Sequence, residues 1–536
     1  MKLYRAFATV SGLTMVSRVL GFGRDILIAR VLGTGAAADA FVVAFQFPNL
    51  FRRLFAEGAF NSAFVPLFTD KLTRDGRGAA RAFAEDALAG LLFILLLLSA
   101  AAIAAMPWLM YVIAPGFSGA ADKFDLSIVM TQITFPYLTC MSLVALLSGI
   151  LNALGRFSAA AAAPILLNLI LILVLLAAQS LGITGGRDAG LLLAWGVAVA
   201  GFAQLFMLAI AAYRAGMGLG FRRPRLTPDI RRLVSLGIPG VISGGITQIN
   251  LLIGGIIASY QDGARAFLYY ADRLYQLPLG VVGVAIGVVL LPDLVRHLAR
   301  RDEGAALDAQ NRSLEFASLL TVPSAVALAV LAEPLITVLF QRGAFTAADV
   351  APTASALAIF AAGLPAFVIQ KVFQPGYFAR QDTKTPLRLA AINFAINVAV
   401  SLALFVVFSR IGVMPHLGIA IATTLAGWVN AIMLWRGLMV RGHFSFDARL
   451  VRTLPLILLA SVVMGAVLWA ILPFVRGFLH ADQSVVVKIG ALGGLIGIGL
   501  VVFFGLMQIT GVLSVAQLRR LLSRRSRSKT PPDGVA

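Results

Sequence analysis

The chain has 536 residues, of which 60% are hydrophobic and only 13% are charged, and its mean hydropathy is +0.91. A soluble chain of this length would form several domains, with about a quarter of its residues charged. Here the apolar residues form runs of about twenty or more, the length that a helix needs to cross a hydrocarbon layer. The composition therefore excludes a soluble protein and predicts an integral membrane protein.

Charge and cysteine content exclude several functions. The net charge is +20, but the basic residues occupy alternate loops and not one aromatic-rich face, so we expect no nucleic-acid partner. The single cysteine, Cys140, lies in an apolar run, which excludes a disulfide framework and a thiolate metal site. The four histidines show no metal-ligand spacing and no Walker A motif is present. We expect neither a metal, nor a cofactor, nor ATPase activity.

Taken in chain order, turn residues and charged clusters separate about fourteen apolar segments, each predicted to be a transmembrane helix. The first carries polar residues through its centre and has no small-residue cleavage site, so we expect a retained helix and not a removed signal peptide. The segments lie near residues 7–32, 36–62, 83–113, 124–153, 159–181, 189–213, 232–259, 265–295, 313–340, 349–378, 386–409, 415–436, 451–474 and 487–512.

Basic residues predict the orientation, because cytoplasmic loops carry an excess of Lys and Arg. One set of alternate loops, together with the C-terminal tail, holds roughly 32 of the 44 basic residues. The other set holds only Lys123, Arg187, Arg265, Arg342, Arg410, Arg476 and Lys488. We therefore predict that both termini are cytoplasmic and that the number of spans is even, in a bacterial inner membrane.

The chain also repeats itself weakly at an offset of about 225 residues, which spans six predicted helices. Residues 38–41 (ADAF) recur as 264–267 (ARAF), and Pro66 recurs as Pro292. We predict two pseudo-symmetric six-helix lobes around a central cavity, plus two extra C-terminal helices. The predicted divisions are 1–220, 221–442 and 443–515, followed by a basic cytoplasmic tail at 516–536.

Charged residues inside the apolar spans indicate the functional site. An arginine at mid-membrane costs about 3 kcal/mol on insertion scales, so it must face water, a carboxylate or a ligand. The predicted ligand-binding arginines are Arg18, Arg24, Arg52 and Arg273. Supporting side chains at helical spacing are Asp25, Asp39, Asp272, Arg53, Glu57 and Gln276.

Two interpretations of these charges remain open. They are either interhelical ion pairs that only fix packing, or the lining of a hydrated cavity between the lobes. The continuity of the polar stripe favours the cavity. Guanidinium groups bind phosphate oxygens in bidentate fashion and stay charged at any relevant pH. The pattern therefore predicts a transporter of a substrate that bears phosphate or carboxylate, and not an enzyme.

Several longer motifs combine these polar residues with glycine, proline and aromatic residues. They are residues 15–25 (MVSRVLGFGRD), 39–41 (DAF), 48–60 (PNLFRRLFAEGAF), 64–66 (FVP), 269–274 (YYADRL) with Pro278, and 378–386 (FARQDTKTP). Together they resemble the motifs of the MurJ (MviN) lipid II flippase family, over nearly the whole chain.

The resemblance implies the fold of the multidrug/oligosaccharidyl-lipid/polysaccharide exporter superfamily. It also implies a substrate, undecaprenyl-diphosphate-MurNAc-pentapeptide-GlcNAc (lipid II), which moves to the periplasmic leaflet by alternating access. The cavity arginines of the family correspond to the four named above, and its cavity acid to Asp39. Membrane lipids and the cell-wall synthesis machinery are the other expected partners.

Some members have acidic residues for a cation in the second lobe, or an acid where this chain has Gln276. Here Asn250, Asn393 and Asn397 stand where the cation ligands would be. Without substrate, we expect Asp25, Asp39 and Asp272 to hold the arginines until phosphate displaces them.

Three rival functions are open at this point. A flippase for another polyprenyl-diphosphate oligosaccharide, of O-antigen type, would need the same arginines. A drug exporter of the same superfamily would instead present acids to a cationic drug. A polyprenyl glycosyltransferase would need a general base at the membrane surface.

Overall fold

The computed structural model describes residues 2–53, 60–480 and 483–512, although the side chains at 2–8, 52, 61–62, 239–247 and six positions within 281–289 are outside that description. The described residues contain no β-strand, and the all-α class is confirmed. The helices are α1 (Lys2–Leu32), α2 (Ala36–Arg52), α3 (Asn61–Arg74), α4 (Gly76–Ile113), α5 (Ala121–Thr134), α6 (Pro136–Ala153), α7 (Ser158–Ser180), α8 (Gly186–Arg214), α9 (Pro228–Ala258), α10 (Ala264–Ala299), α11 (Glu303–Val330), α12 (Ala332–Phe340), α13 (Ala347–Phe378), α14 (Lys384–Ile411), α15 (His416–Val440), α16 (Ala448–Leu479) and α17 (Val485–Ile509).

Ten helices among the described residues are long and apolar enough to cross a membrane, when α5 and α6 are taken together as Ala121–Ala153. A further three, α1, α9 and α10, have 31, 31 and 36 residues, so at 1.5 Å per residue their length also suffices. Charged residues interrupt α1 and α10, which are the helices that carry Arg24 and Arg273. The number fourteen stays a prediction.

Two compact units divide the chain, and each combines distant segments. Unit 1 comprises 1–273, 340–352 and 394–419, and unit 2 comprises 274–339, 353–393 and 420–536. The predicted lobes, in contrast, are continuous in sequence. These lobes and the two extra C-terminal helices stay predictions. The predicted tail at 516–536 lies outside the described residues.

In unit 1, α1 packs against α7, α2 against α5, and α8 against both α6 and α7. Its core contains Phe47, Met106 and Phe135, which are almost fully buried. In unit 2, α16 packs against α11 and α17 around Met464 and Phe503. In both units the helices bury the apolar face that their sequences predict.

Contacts at the two ends of unit 1 sort the loops into two groups. At one end, Ala344 N donates to Arg30 O at 2.9 Å and Gly116 N donates to Ser259 Oγ at 3.0 Å. At the other end, Lys71 pairs with Asp229 at 2.9 Å. The 38-residue α4 separates the two groups. We call the first end the Lys123 end and the second the Lys71 end. The loops at the Lys123 end carry few basic residues, and those at the Lys71 end carry many.

The turn between α1 and α2 needs glycine at the Lys123 end. Gly33 has φ +64°, a left-handed conformation that side chains other than glycine rarely adopt, and a β-carbon there would overlap the carbonyl oxygen of Ala344. Gly35, two residues later, has φ −73° and open space around it.

Replacement of Gly33 by alanine is predicted to destabilise the protein by about 1–2 kcal/mol from the backbone conformation alone, with a further penalty from the overlap. Gly35→Ala is the matched control, because its backbone and surroundings accept a methyl group. The measurement is the apparent melting temperature of the purified protein in detergent. Equal melting temperatures for the two variants would contradict the account.

Candidate functional site

Arg24 and Asp25 form a buried ion pair in the second half of α1. The Arg24 guanidinium donates to Asp25 Oδ1 from Nη2 at 2.7 Å and from Nε at 3.1 Å. Its Nη1 donates to Asn168 Oδ1 of α7 at 2.9 Å, and Asn168 Nδ2 donates back to Ser17 O at 2.8 Å. The guanidinium also lies over the ring of Phe45, 5.6 Å from the centroid. Neighbouring helices thus fix the arginine in one orientation.

Two side chains of α10 also approach the Asp25 carboxylate. Tyr269 donates its hydroxyl to Asp25 Oδ1 at 3.1 Å, and Arg273 Nε lies 3.6 Å from Oδ2, beyond hydrogen-bond distance. The Arg273 guanidinium is 4.5 Å from the Tyr269 ring centroid, and its side chain is 29% exposed. Arg273 Nε is buried and has no hydrogen-bond acceptor among the described residues. One carboxylate therefore serves two guanidinium groups, and one of the two is incompletely satisfied.

The other predicted residues fall into three groups. Arg18 is exposed on α1, and Asp272 and Gln276 lie on α10, half-buried and exposed respectively. Arg53 is exposed just after α2, whose last residue is Arg52. The side chain of Arg52 and all of Glu57 lie outside the described residues. The roles of these residues stay predictions.

Asp39 has a different partner from the one expected. Its side chain is fully buried, and Lys123 Nζ donates to its Oδ2 at 2.7 Å. Its carboxylate also accepts from the backbone N–H groups of Gly263 at 2.9 Å and Ala266 at 3.0 Å. The expectation that Asp39 holds one of the four arginines is wrong. A buried carboxylate needs both a cation and hydrogen-bond donors, and here they are supplied by the lysine and by the backbone at the start of α10, including Gly263 just before it.

Sequence reasoning missed Asn168, Tyr269 and Lys123 as parts of these sites. Tyr269 was present in a motif together with Arg273, and that adjacency was the available signal. The sequence analysis used Lys123 only as a basic loop residue for orientation. The available signal was that Asp39, a carboxylate inside an apolar helix, requires a cationic partner. Asn250 and Asn397 are joined by a 2.9 Å hydrogen bond from Asn397 Nδ2 to Asn250 Oδ1. These two asparagines therefore bind each other within unit 1.

The motif at 378–386 is explained by packing within unit 2. Asp382 Oδ1 accepts from the backbone N–H of Thr385 at 2.9 Å, and Arg441 Nη1 donates to Asp382 Oδ2 at 2.7 Å. The pKa of Asp382 is lowered to about 2, mainly by the hydrogen bonds from Thr385 and to a smaller extent by the interaction with Arg441. Arg380 donates to Glu303 at 2.7 Å. These contacts hold the loop between α13 and α14 in place.

Comparison with known proteins decides the family. The family model described as Lipid II flippase MurJ matches residues 28–484. A probable lipid II flippase MurJ of Rhizobium tropici is 47% identical over 526 residues, which cover 98% of this chain and 97% of that protein. The lipid II flippase MurJ of Burkholderia cenocepacia is 35% identical over 480 residues, with 88% and 91% covered. The chain belongs to the MurJ family.

Solved structures show the fold of this MurJ-family protein. A lipid II flippase MurJ in an inward closed conformation has a TM-score of 0.77 at 24% identity, covering 93% of this chain and 98% of that one. An inward-facing multidrug resistance MATE family transporter of the MOP superfamily has a TM-score of 0.66 at 14% identity, covering 81% and 98%. The family and the apolar helices make this a multi-pass membrane protein.

A double-mutant cycle on Arg24 and Asp25 is predicted to give a coupling free energy of about 1–3 kcal/mol, because both side chains are buried. Removal of either partner alone leaves an uncompensated charge. The matched control is the exposed pair of Arg74 and Asp70 at 2.7 Å, for which we expect at most about 0.5 kcal/mol. The measurement is thermal or denaturant unfolding of the four variants of each cycle. Equal coupling in the two cycles would contradict the assignment.

Proposed function

We propose that this MurJ-family protein moves lipid II from the cytoplasmic to the periplasmic leaflet of the bacterial inner membrane. The observation that carries the proposal is the sharing of Asp25 by Arg24 and Arg273 on two different helices. The buried Arg273 Nε, which has no acceptor in the part of the chain that the structure describes, gives a further donor for a ligand oxygen. The names of the relatives point to the same substrate.

A diphosphate fits this arrangement because it offers several anionic oxygens within a few ångströms. The two guanidinium groups supply charged donors on α1 and α10, and phosphate binds such donors in bidentate fashion. Asp25 would occupy this position without substrate and yield to the diphosphate when it arrives. Arg18, exposed nearly two turns earlier on α1, would contact the substrate before it reaches Arg24.

The direction of transport follows from the orientation predicted by the basic loops. With both termini cytoplasmic, the Lys71 end faces the cytoplasm and the Lys123 end faces the periplasm. An inside-negative potential contributes about 2.3 kcal/mol per charge per 100 mV. A headgroup with two or more negative charges would therefore be driven outward without ATP.

Alternating access between the two predicted lobes would carry the headgroup, while the lipid tail stays in the bilayer. The surfaces of α16 and α17 suit the tail, because Leu458, Trp469 and Val501 are exposed and apolar. Contact with the cell-wall synthesis machinery on the periplasmic side is part of the same proposal, since the product is consumed there.

The nearest alternative is a flippase for an O-antigen type polyprenyl-diphosphate oligosaccharide, which would use the same arginines. Depletion of the protein distinguishes the two substrates. Accumulation of lipid II in the cytoplasmic leaflet supports the proposal, whereas accumulation of another polyprenyl-diphosphate sugar supports the alternative.

Alanine at Arg18, Arg24, Arg52 or Arg273 is predicted to abolish growth when the variant is the only copy in the cell, because each arginine contacts the diphosphate. The measurements are growth and the fraction of lipid II in each leaflet, at matched amounts of membrane-inserted protein. Arg74→Ala is the control, because Arg74 pairs with exposed Asp70 at one end of a helix. Normal growth from three of the four arginine variants would refute the site.

A further inference from the structure

The Lys123 end of unit 1 contains a second charged cluster that the substrate site does not use. The Lys123 side chain is 4% exposed and joins two carboxylates, Asp39 Oδ2 at 2.7 Å and Asp262 Oδ1 at 2.9 Å. Asp39 is fully buried, whereas Asp262 is 97% exposed. The single ammonium group therefore connects a carboxylate inside the protein with one at its surface.

Asp39 holds the first turn of α10 from another helix. The backbone N–H groups of Gly263 and Ala266, which bind its two oxygens, belong to the start of a helix that has no carbonyl acceptors for them. The N-terminal dipole of α10 also favours a negative charge at this place. Asp39 thus attaches α2 to α10, the helix that presents Arg273.

Lys123 and Arg265 share an aromatic surface next to this attachment. Lys123 Nζ lies 4.2 Å, and Arg265 Cζ 5.5 Å, from the centroid of the buried Phe117 ring. Arg265 donates from Nη2 to Ile113 O, the last residue of α4, at 2.6 Å. The cluster therefore links the start of α10 with the C-terminal end of α4 and with the turn that follows it.

A tightly packed contact and an open recess lie next to each other at this cluster. A β-carbon at Gly116 would overlap the backbone of Ser259, so the turn after α4 and the end of α9 are in direct contact. Beside them lies a recess of about 470 Å³, lined by Lys123, Asp262 and Gly263. Movement of α10 away from α2 would open a path from this recess to Asp39.

We propose that Lys123 is a positioning residue that keeps the Lys123 end closed by neutralising the buried Asp39 carboxylate, and that its loss shifts the protein toward a state in which this end is open. The inference rests on the proposed function, in which this end must open to release the headgroup. Without the ammonium group, an anion would remain buried, and opening would be the way to hydrate it.

The experiment measures how fast an introduced cysteine reacts at the closed end. Ala266 is fully buried beside Asp39, and Cys140 is the single native cysteine. The parent protein carries Ala266→Cys and Cys140→Ala, and a membrane-impermeant maleimide is added to protein in detergent, where both ends are accessible. Ala40→Cys, also fully buried, replaces the reporter if the first one fails to fold.

Lys123→Met is expected to raise the labelling rate by roughly tenfold or more, a factor equivalent to about 1.4 kcal/mol. If Lys123→Met does not accumulate, Lys123→Gln tests the effect of removing the same charge, because glutamine keeps a hydrogen-bond donor but is neutral. The matched control is Lys71→Met, because Lys71 also pairs with an aspartate and lies 5.9 Å from a phenylalanine ring centroid, at the opposite end. It should label as slowly as the parent.

The double variant Asp39→Asn with Lys123→Met tests whether the lysine acts through Asp39. It is expected to label more slowly than Lys123→Met alone, because the carboxylate that lost its ammonium partner is replaced by an uncharged amide. Parent-like labelling of Lys123→Met, equal labelling of Lys71→Met, or no difference between the single and double variants would each overturn the proposal.

Addition of lipid II separates this inference from the proposed function. If both hold, lipid II changes the labelling rate of the parent. If lipid II has no effect while Lys123→Met still labels rapidly, the role of Lys123 stands and the proposed substrate is wrong.

Discussion

A guanidinium group in hydrocarbon must have compensating partners, and that requirement organises the charged centre of unit 1. Burial of one ion pair gives little net stability, because desolvation offsets much of the Coulomb attraction. Arg24 and Asp25 nevertheless lie at the contact of α1 with α7 and α10, held by Asn168 and Tyr269. Under the proposed function such an arrangement lets the arginines change partners, because a diphosphate would replace the carboxylate without leaving them unpaired.

The two buried aspartates of the first helices have different tasks, although both lie in similar apolar surroundings. Asp25 contacts side chains, two of them arginines, and under the proposed function it would release them to the substrate. Asp39 contacts one lysine and two backbone N–H groups, so it sets where a helix begins. Both act on α10, one near its start and one two turns later. Movement of this helix would therefore couple the closed end to the arginine site.

The sequence alone predicts the helices, and it indicates which charged residues lie inside them, because both follow from local composition. Apolar runs gave the class, and the motif containing Tyr269 and Arg273 indicated the family that the comparisons confirm. The ion-pair partner of each buried aspartate is harder to predict. Asp25 was expected to hold arginines and does, but Asp39 lies 84 positions from Lys123, and no periodicity joins residues so distant. The division into units was also invisible, since each unit combines segments far apart in sequence.

Binding of lipid II to the purified protein in lipid nanodiscs tests the central claim that the arginines of α1 and α10 recognise the diphosphate. The comparison uses lipid II and an analogue in which a neutral group replaces the diphosphate. The account predicts that the protein binds lipid II at least about tenfold more tightly, a difference of roughly 1.4 kcal/mol, and that Arg273→Ala removes this preference. Equal affinity of the unaltered protein for the two lipids would contradict it.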